Sequence, residues 1–189
     1  MDPPRDARAC RRGAGLRRPR PASAGRSAVP LPSPLAARIG DLSPNLDVIL
    51  GHDPHAMHDM GIALERVERA LRDGEQILVV TDYDVDGTTS SLILQHALQL
   101  AARRTGREAH ISWHIPDRFE EGYGFSLAAA QAAVNTHKQL IITADIGVRD
   151  HASIDLARGG GVDVLVCDHH LPDGADVPAN ASAVLCPPK

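Results

Sequence analysis

Residues 77–88 read Ile77-Leu78-Val79-Val80-Thr81-Asp82-Tyr83-Asp84-Val85-Asp86-Gly87-Thr88. Four apolar residues, three of them β-branched, run without a polar interruption, and three carboxylates then follow at alternate positions. A strand with one wet face alternates apolar and polar. An unbroken run this short marks a strand covered on both faces, as in a parallel sheet. The abrupt change to Asp and Gly marks where that strand stops.

Working outward, the same grammar repeats. Upstream, Met57 to Arg72 carries Met60, Ala63, Leu64, Val67 and Leu71 at helical spacing, with Glu65, Arg66, Glu68 and Arg69 on the other face, and Asp73-Gly74 ends it. Downstream, Thr88 to Arg104 reads as a helix with Ile93, Ala97 and Leu100 on one stripe. Ala109 to Ile115 reads as a second strand, and Ser126 N-caps a helix through Val134. Leu140 to Thr143 is a third strand, and Arg149 to Arg158 a helix closed by three glycines. Val162 to Cys167 is a fourth strand, and Ala183 to Cys186 starts a fifth. Strands separated by helices predict an α/β fold, a doubly wound parallel sheet.

In such sheets ligands sit beyond the carboxyl ends of the strands. The first strand delivers Asp82, Asp84 and Asp86, the third Asp145-Ile146-Gly147, and the fourth Asp168-His169-His170. Carboxylates a few Å apart repel by several kcal/mol at intermediate dielectric, so the edge needs cations, protons or wide spacing. Oxygen and imidazole ligands suit Mn²⁺ or Mg²⁺, or alternatively Zn²⁺ or Co²⁺. Two such ions about 3.5–4 Å apart clamp a phosphoryl group and acidify a bridging water. Asp145, alone at its strand end, is placed to bridge them. Taken singly, each motif also reads as a solvated polar turn, Asp145-Ile146-Gly147 most readily and the acidic motif least; their joint occurrence at three strand ends argues for a site.

Charge divides the chain. Residues 1–40 hold nine Arg against two Asp, about +7, and half of the 14 prolines; residues 41–189 hold 11 basic and 22 acidic groups, about −11. The Arg/Pro-rich segment 1–45 has no hydrophobic period and is expected to be a disordered tail. Its alternatives are weak nucleic-acid contact and organelle targeting; it lacks the apolar core of a secretory signal. No apolar run approaches the ~18–20 residues of a membrane span, so no membrane role is expected. Three widely spaced cysteines without a CxxC fit a reducing, cytoplasmic compartment.

The block Asp82 to Ser90, then Asp145-Ile146-Gly147 and Asp168-His169-His170-Leu171-Pro172, resembles the first three motifs of the DHH phosphoesterases. Ile115 to Gly124 is similar to a segment of the RecJ-type single-stranded-DNA exonucleases within that superfamily. The resemblance covers residues 53–189 and implies a Mn²⁺- or Mg²⁺-dependent hydrolase that degrades single-stranded DNA from the 5′ end, in DNA repair and recombination. It implies Asp84, Asp86, Asp145 and His169 as metal ligands and Asp82 as a ligand or its supporter. His170 would face the scissile phosphate, Asp168 would orient a histidine, and Arg118 would contact phosphate or tie down its loop. Residues 46–189 would then be the N-terminal part of such a domain, incomplete because the superfamily's fourth Asp motif lies further downstream. Two readings stay open beside this one: a non-catalytic metal- or nucleic-acid-binding fragment, and a relative acting on pyrophosphate, cyclic dinucleotides or short oligonucleotides. Asp84-Val85-Asp86-Gly87-Thr88 also matches the start of haloacid-dehalogenase-like phosphatases, but that family needs a lysine near the phosphate, and only Lys138, which precedes its strand, and Lys189 are present.

His52, His55 and His58 recur every third residue and are expected at the surface. Of only five aromatics, Tyr123 is the stacking candidate near the site, and Trp113 is expected in the core.

Overall fold

A computed structural model of the chain describes residues 53–174 and 176–187. The basic tail and His52 lie outside them. After a 3₁₀ turn at Pro54–Ala56, the elements are α1 (Met60–Asp73), β1 (Gln76–Thr81), α2 (Val85–Arg104), β2 (His110–His114), α3 (Leu127–Asn135), β3 (Leu140–Ala144), α4 (His151–Gly159), β4 (Asp163–Cys167) and β5 (Ala183–Leu185). All strand pairs are parallel, in the order β2-β1-β3-β4-β5. This is the doubly wound α/β sheet that the strand–helix alternation predicts.

Burial follows from that order. β3 is buried at every position, and β1 at every position after Gln76, because helices cover both faces. Side chains alternate across the sheet. Ile77, Val79, Leu140 and Ile142 pack with Ala63, Ala70, Leu71, Leu98 and Ala102 of α1 and α2. Leu78, Val80, Ile141, Val164 and Val166 face the other way, onto Ala129, Ala130 and Ala133 of α3 and Ile154 and Ala157 of α4. Three alanines on one α3 face let that helix lie close to the sheet.

Three expectations about faces fail. Ile93, Ala97 and Leu100 do not form the inner stripe of α2; they stay outside the buried core, and Ser91, Leu98 and Ala102 are buried instead. The period is right and the phase is wrong: the face that meets the sheet runs through Ser91, Leu94, Leu98 and Ala102. Trp113 lies on the edge strand β2 and is 60% exposed rather than core. In α1 the positions exchange: Leu64 is exposed, while Arg66 is 7% exposed. The Arg66 guanidinium donates to Asp163 at 2.5 Å, to Glu75 at 2.6 Å and to the Gln139 carbonyl at 3.0 Å. A buried cation is tolerable only when paired in this way.

The register positions the site. Thr81 pairs with Ala144, and Ala144 with Cys167. The next residues along these three strands are Asp82, Asp145 and Asp168, so three carboxylates emerge side by side at one edge. The sheet order reverses between β1 and β3, where the chain leaves for β2 in one direction and β4 in the other. That reversal opens a crevice at the strands' carboxyl ends.

Candidate metal centre

Each acidic residue is set by local geometry. Asp84 is the N-cap of α2, with Oδ1 accepting from Gly87 N–H at 2.9 Å, so the helix begins inside the motif, three residues earlier than the spacing predicts. That N–H holds the Asp84 carboxyl below its ordinary value. Gly87 sits where a Cβ would lie 2.3 Å from the Asp82 carbonyl oxygen, so only glycine lets the helix start against the strand end. Asp145 takes a left-handed backbone, φ 66°, and Gly147 follows at φ 117°. This turn aims the Asp145 carboxylate into the crevice.

Two clusters result. Asp82, Asp84 and Asp145 offer ligand atoms all within 4.8 Å of one another, and so do Asp145, His169 and His170. Asp145 belongs to both, the place a bridging ligand would take. Asp86, one residue into α2, lines the same cleft but stands outside both clusters. Asp82 is 2% exposed, and its Oδ1 has no hydrogen-bond partner. A buried carboxylate oxygen with nothing to accept from is costly. Burial, together with the Asp84 charge and against the His169 hydrogen bond, raises the Asp145 carboxyl above its usual value. Both observations describe a site short of positive charge, and the oxygen-rich donor set with imidazole fits a hard or borderline divalent cation. Cys167 also lines the cleft but belongs to neither cluster, and burial with the Asp168 charge pushes its thiol up to about 11.

The two histidines are held differently. His169 Nε2 meets Asp145 Oδ1 at 2.8 Å. His170 Nδ1 donates to Asp168 Oδ1 at 2.8 Å, since a carboxylate can only accept. Asp168 is itself a hub. Its carboxylate accepts from the backbone N–H groups of Val148 at 2.9 Å, His169 at 2.7 Å and His170 at 3.1 Å. Burial pushes the Asp168 carboxyl up, and these donors outweigh it and hold the group below its ordinary value. One carboxylate thus ties the turn after β3 to the turn after β4.

The loop between β2 and α3 closes the arrangement. The Tyr123 hydroxyl lies 3.4 Å from the Asp145 carbonyl and 3.3 Å from His170 Nε2, with its ring edge-on to His170 at 6.0 Å. Burial, with Asp168, Asp82, Asp145 and Asp150 around it, pushes the phenol to about 12, so it remains a donor. Arg118 does not reach the clusters; its guanidinium lies 5.1 Å from the Tyr83 ring centroid and so fastens the loop to the acidic motif. Sequence reasoning misses Asp150, whose Oδ2 accepts from Phe125 N–H at 2.8 Å and anchors the loop's far end. Its only signal is its place beside a predicted helix start. His55 and His58 are exposed, as expected, and His58 pairs with Asp59 rather than with a metal cluster. Lys138 lies just before β3, at the opposite end of that strand from Asp145, so it cannot serve the phosphatase alternative.

Parallel sheet, switch-point crevice and Asp/His clusters define the class: a doubly wound α/β domain with a candidate divalent-metal centre at its switch point. Residues 76–188 match the family described as "DHH family, N-terminal domain", and the chain belongs to it. It is 42% identical over 125 residues to the single-stranded-DNA-specific exonuclease RecJ of Escherichia coli, covering 66% of this chain and 20% of that protein. A crystal structure of exonuclease RecJ bound to manganese superposes with a TM-score of 0.55 at 36% identity, over 67% of this chain and 30% of the other. RecJ in complex with Mn²⁺ from Thermus thermophilus gives a TM-score of 0.52 at 30% identity, over 68% and 17%. The chain spans about a fifth of the length of the curated Escherichia coli relative it matches. Among the described residues no helix is long and apolar enough to cross a membrane.

Proposed function

We propose that this chain carries a metal-binding part of a hydrolase that removes nucleotides from the 5′ end of single-stranded DNA, in DNA repair and recombination, with Mn²⁺ or Mg²⁺ as cofactor. Residues 46–189 are the N-terminal part of its phosphoesterase domain. One observation carries the reading: two ligand clusters share Asp145, and beside them the Asp82 carboxylate is buried with an unpartnered oxygen.

Asp82, Asp84 and Asp145 would hold one cation, and Asp145, His169 and His170 the other, with Asp86 at the rim of the cleft. Bound there, the pair supplies Lewis acidity toward a phosphodiester and a water of lowered pKa. The protein's own part is positioning. Asp168 keeps the His170 proton on Nδ1 and leaves Nε2 unprotonated toward the cleft, the atom a cation would take. Tyr123 then lies at the side from which a scissile phosphate arrives. Arg118 sets the loop that carries Tyr123 against the acidic motif.

The test has two layers. Isothermal titration with Mn²⁺ should show binding that Asp145→Ala abolishes, since that residue serves both clusters; heats indistinguishable from dilution would end the metal reading. Incubation with Mn²⁺ and 5′-labelled single strands should release label as mononucleotide, and release that persists in Asp145→Ala would place the chemistry elsewhere.

A further inference from the structure

Phe119 is 90% exposed, the most exposed large apolar side chain among the described residues. It does not hang on a slack loop. Phe119 N–H donates to Asp117 Oδ1 at 2.8 Å, and Asp117 N–H donates to Glu121 Oε1 at 3.1 Å. Glu121 Oε2 is held in turn by His114 Nε2 at 2.9 Å and by the Ser126 hydroxyl at 3.2 Å. A single carboxylate therefore pins both ends of the turn to β2 and to the cap of α3, and the turn presents an aromatic ring to water.

The ring has company. The Arg118 guanidinium carbon lies 5.1 Å from the Tyr83 centroid and 5.7 Å from the Phe119 centroid, so the cation serves both aromatic rings. Tyr83 stands between Asp82 and Asp84 in the acidic motif. The tiered group of Tyr83, Arg118 and Phe119 is thus joined directly to the ligand cluster, while Tyr123 of the same loop touches Asp145 and His170. Around so acidic a cluster, a flat apolar and cationic surface suits a planar, polarisable group attached to a phosphate chain: a nucleobase.

We infer that Phe119, backed by Arg118 and Tyr83, is a stacking platform for a base of the single strand close to the cleaved phosphate, and that it makes the site prefer strands with bases over bare sugar-phosphate. The inference rests on the proposed function and adds the residue that recognises the base. Stacking on an aromatic is indifferent to base identity because every base presents a π-face. The platform therefore selects single strands without selecting sequence.

Fluorescence anisotropy with two 3′-labelled 8-mers of phosphorothioate linkage, one of thymidine and one of abasic tetrahydrofuran units, separates the possibilities in Mg²⁺. The native chain should bind the thymidine strand more tightly. Phe119→Ala should weaken that binding on the order of 10-fold and leave the abasic strand unchanged, while Phe119→Trp restores the preference. Exposure of the ring makes the fold indifferent to these changes, which circular dichroism verifies. Equal affinity of the native chain for both strands, or a preference that survives Phe119→Ala, overturns the platform while leaving a nucleic-acid site. Binding of neither strand overturns the platform and the nucleic-acid reading together.

Discussion

At Asp168 one side chain collects four donors from two turns, and that concentration makes it more informative than the ligands themselves. Groups that orient a metal-binding histidine through its second nitrogen set ring angle and basicity. Asp168→Asn keeps the size and loses the charge, and is expected to weaken Mn²⁺ binding about 10- to 100-fold in calorimetric titration; an unchanged affinity would remove Asp168 from that duty. Gly147 offers a second residue-scale test. Its φ of 117° excludes ordinary side chains, and a Cβ would lie 2.4 Å from Thr143 Oγ1 and 3.1 Å from Val166 Cγ1. Gly147→Ala should cost about 2–4 kcal/mol in urea unfolding, since strain and overlap act together. The acid and histidine motifs were legible because chemistry there demands particular residue types. Tyr123's hydrogen bond and Arg118's seat on Tyr83 were not, because both depend on how a loop of irregular backbone crosses the site.

On the scale of elements, the strands and helices were legible wherever apolar period and terminators agreed. β1, β3 and β4 are short apolar runs, and Ser126 caps α3 as expected, accepting from Ala129 N–H. Helix faces were less legible. In α2, Leu92, Ile93 and Leu100 point outward while Leu94 and Leu98 pack inward, and apolar residues on both sides leave the phase of the helix open to either reading. In α1, Arg66 reads as solvent-facing because charge normally is. Its partners Glu75 and Asp163 lie on a loop and on β4, and no local pattern announces them. Removing one member of a buried ion cluster strands the rest, so Arg66→Met should destabilise by about 3–5 kcal/mol. Arg69→Ala, an exposed partner of the same Asp163, should cost about 1 kcal/mol or less. Equal effects in chemical denaturation would mean the buried pairing is not what matters. Asp163 also sets an acid limit. Burial pushes its carboxyl up, but Arg66 and Arg158 outweigh this and hold it below the ordinary value. A group lowered in the folded state stabilises it above the unfolded pKa, about 4, and that contribution disappears as pH falls through the folded value. Unfolding free energy should therefore decline below about pH 4, and the decline should be shallower in Asp163→Asn.

For the molecule as a whole, the sheet order was legible only as a class, since alternating elements demand parallel strands but do not say which are neighbours. The placement of β3 beside β1, with β2 sent to the edge, brings the motif at residues 82–86 against Asp145. That juxtaposition has a kinetic consequence. Asp82 and Asp145 are distant in sequence, and β1 cannot pair with β3 until the whole α2–β2–α3 excursion has been closed into a loop. Long-range parallel pairing is slow for that reason. The candidate ligands of these three strand ends come together only when the last of these pairings is in place, so a cation held there would have little to grip in the unfolded chain or in early intermediates. In stopped-flow measurements Mn²⁺ should leave the refolding rate nearly unchanged and slow unfolding in proportion to its occupancy. A metal that accelerated refolding instead would show that the crevice assembles early, ahead of the sheet that frames it.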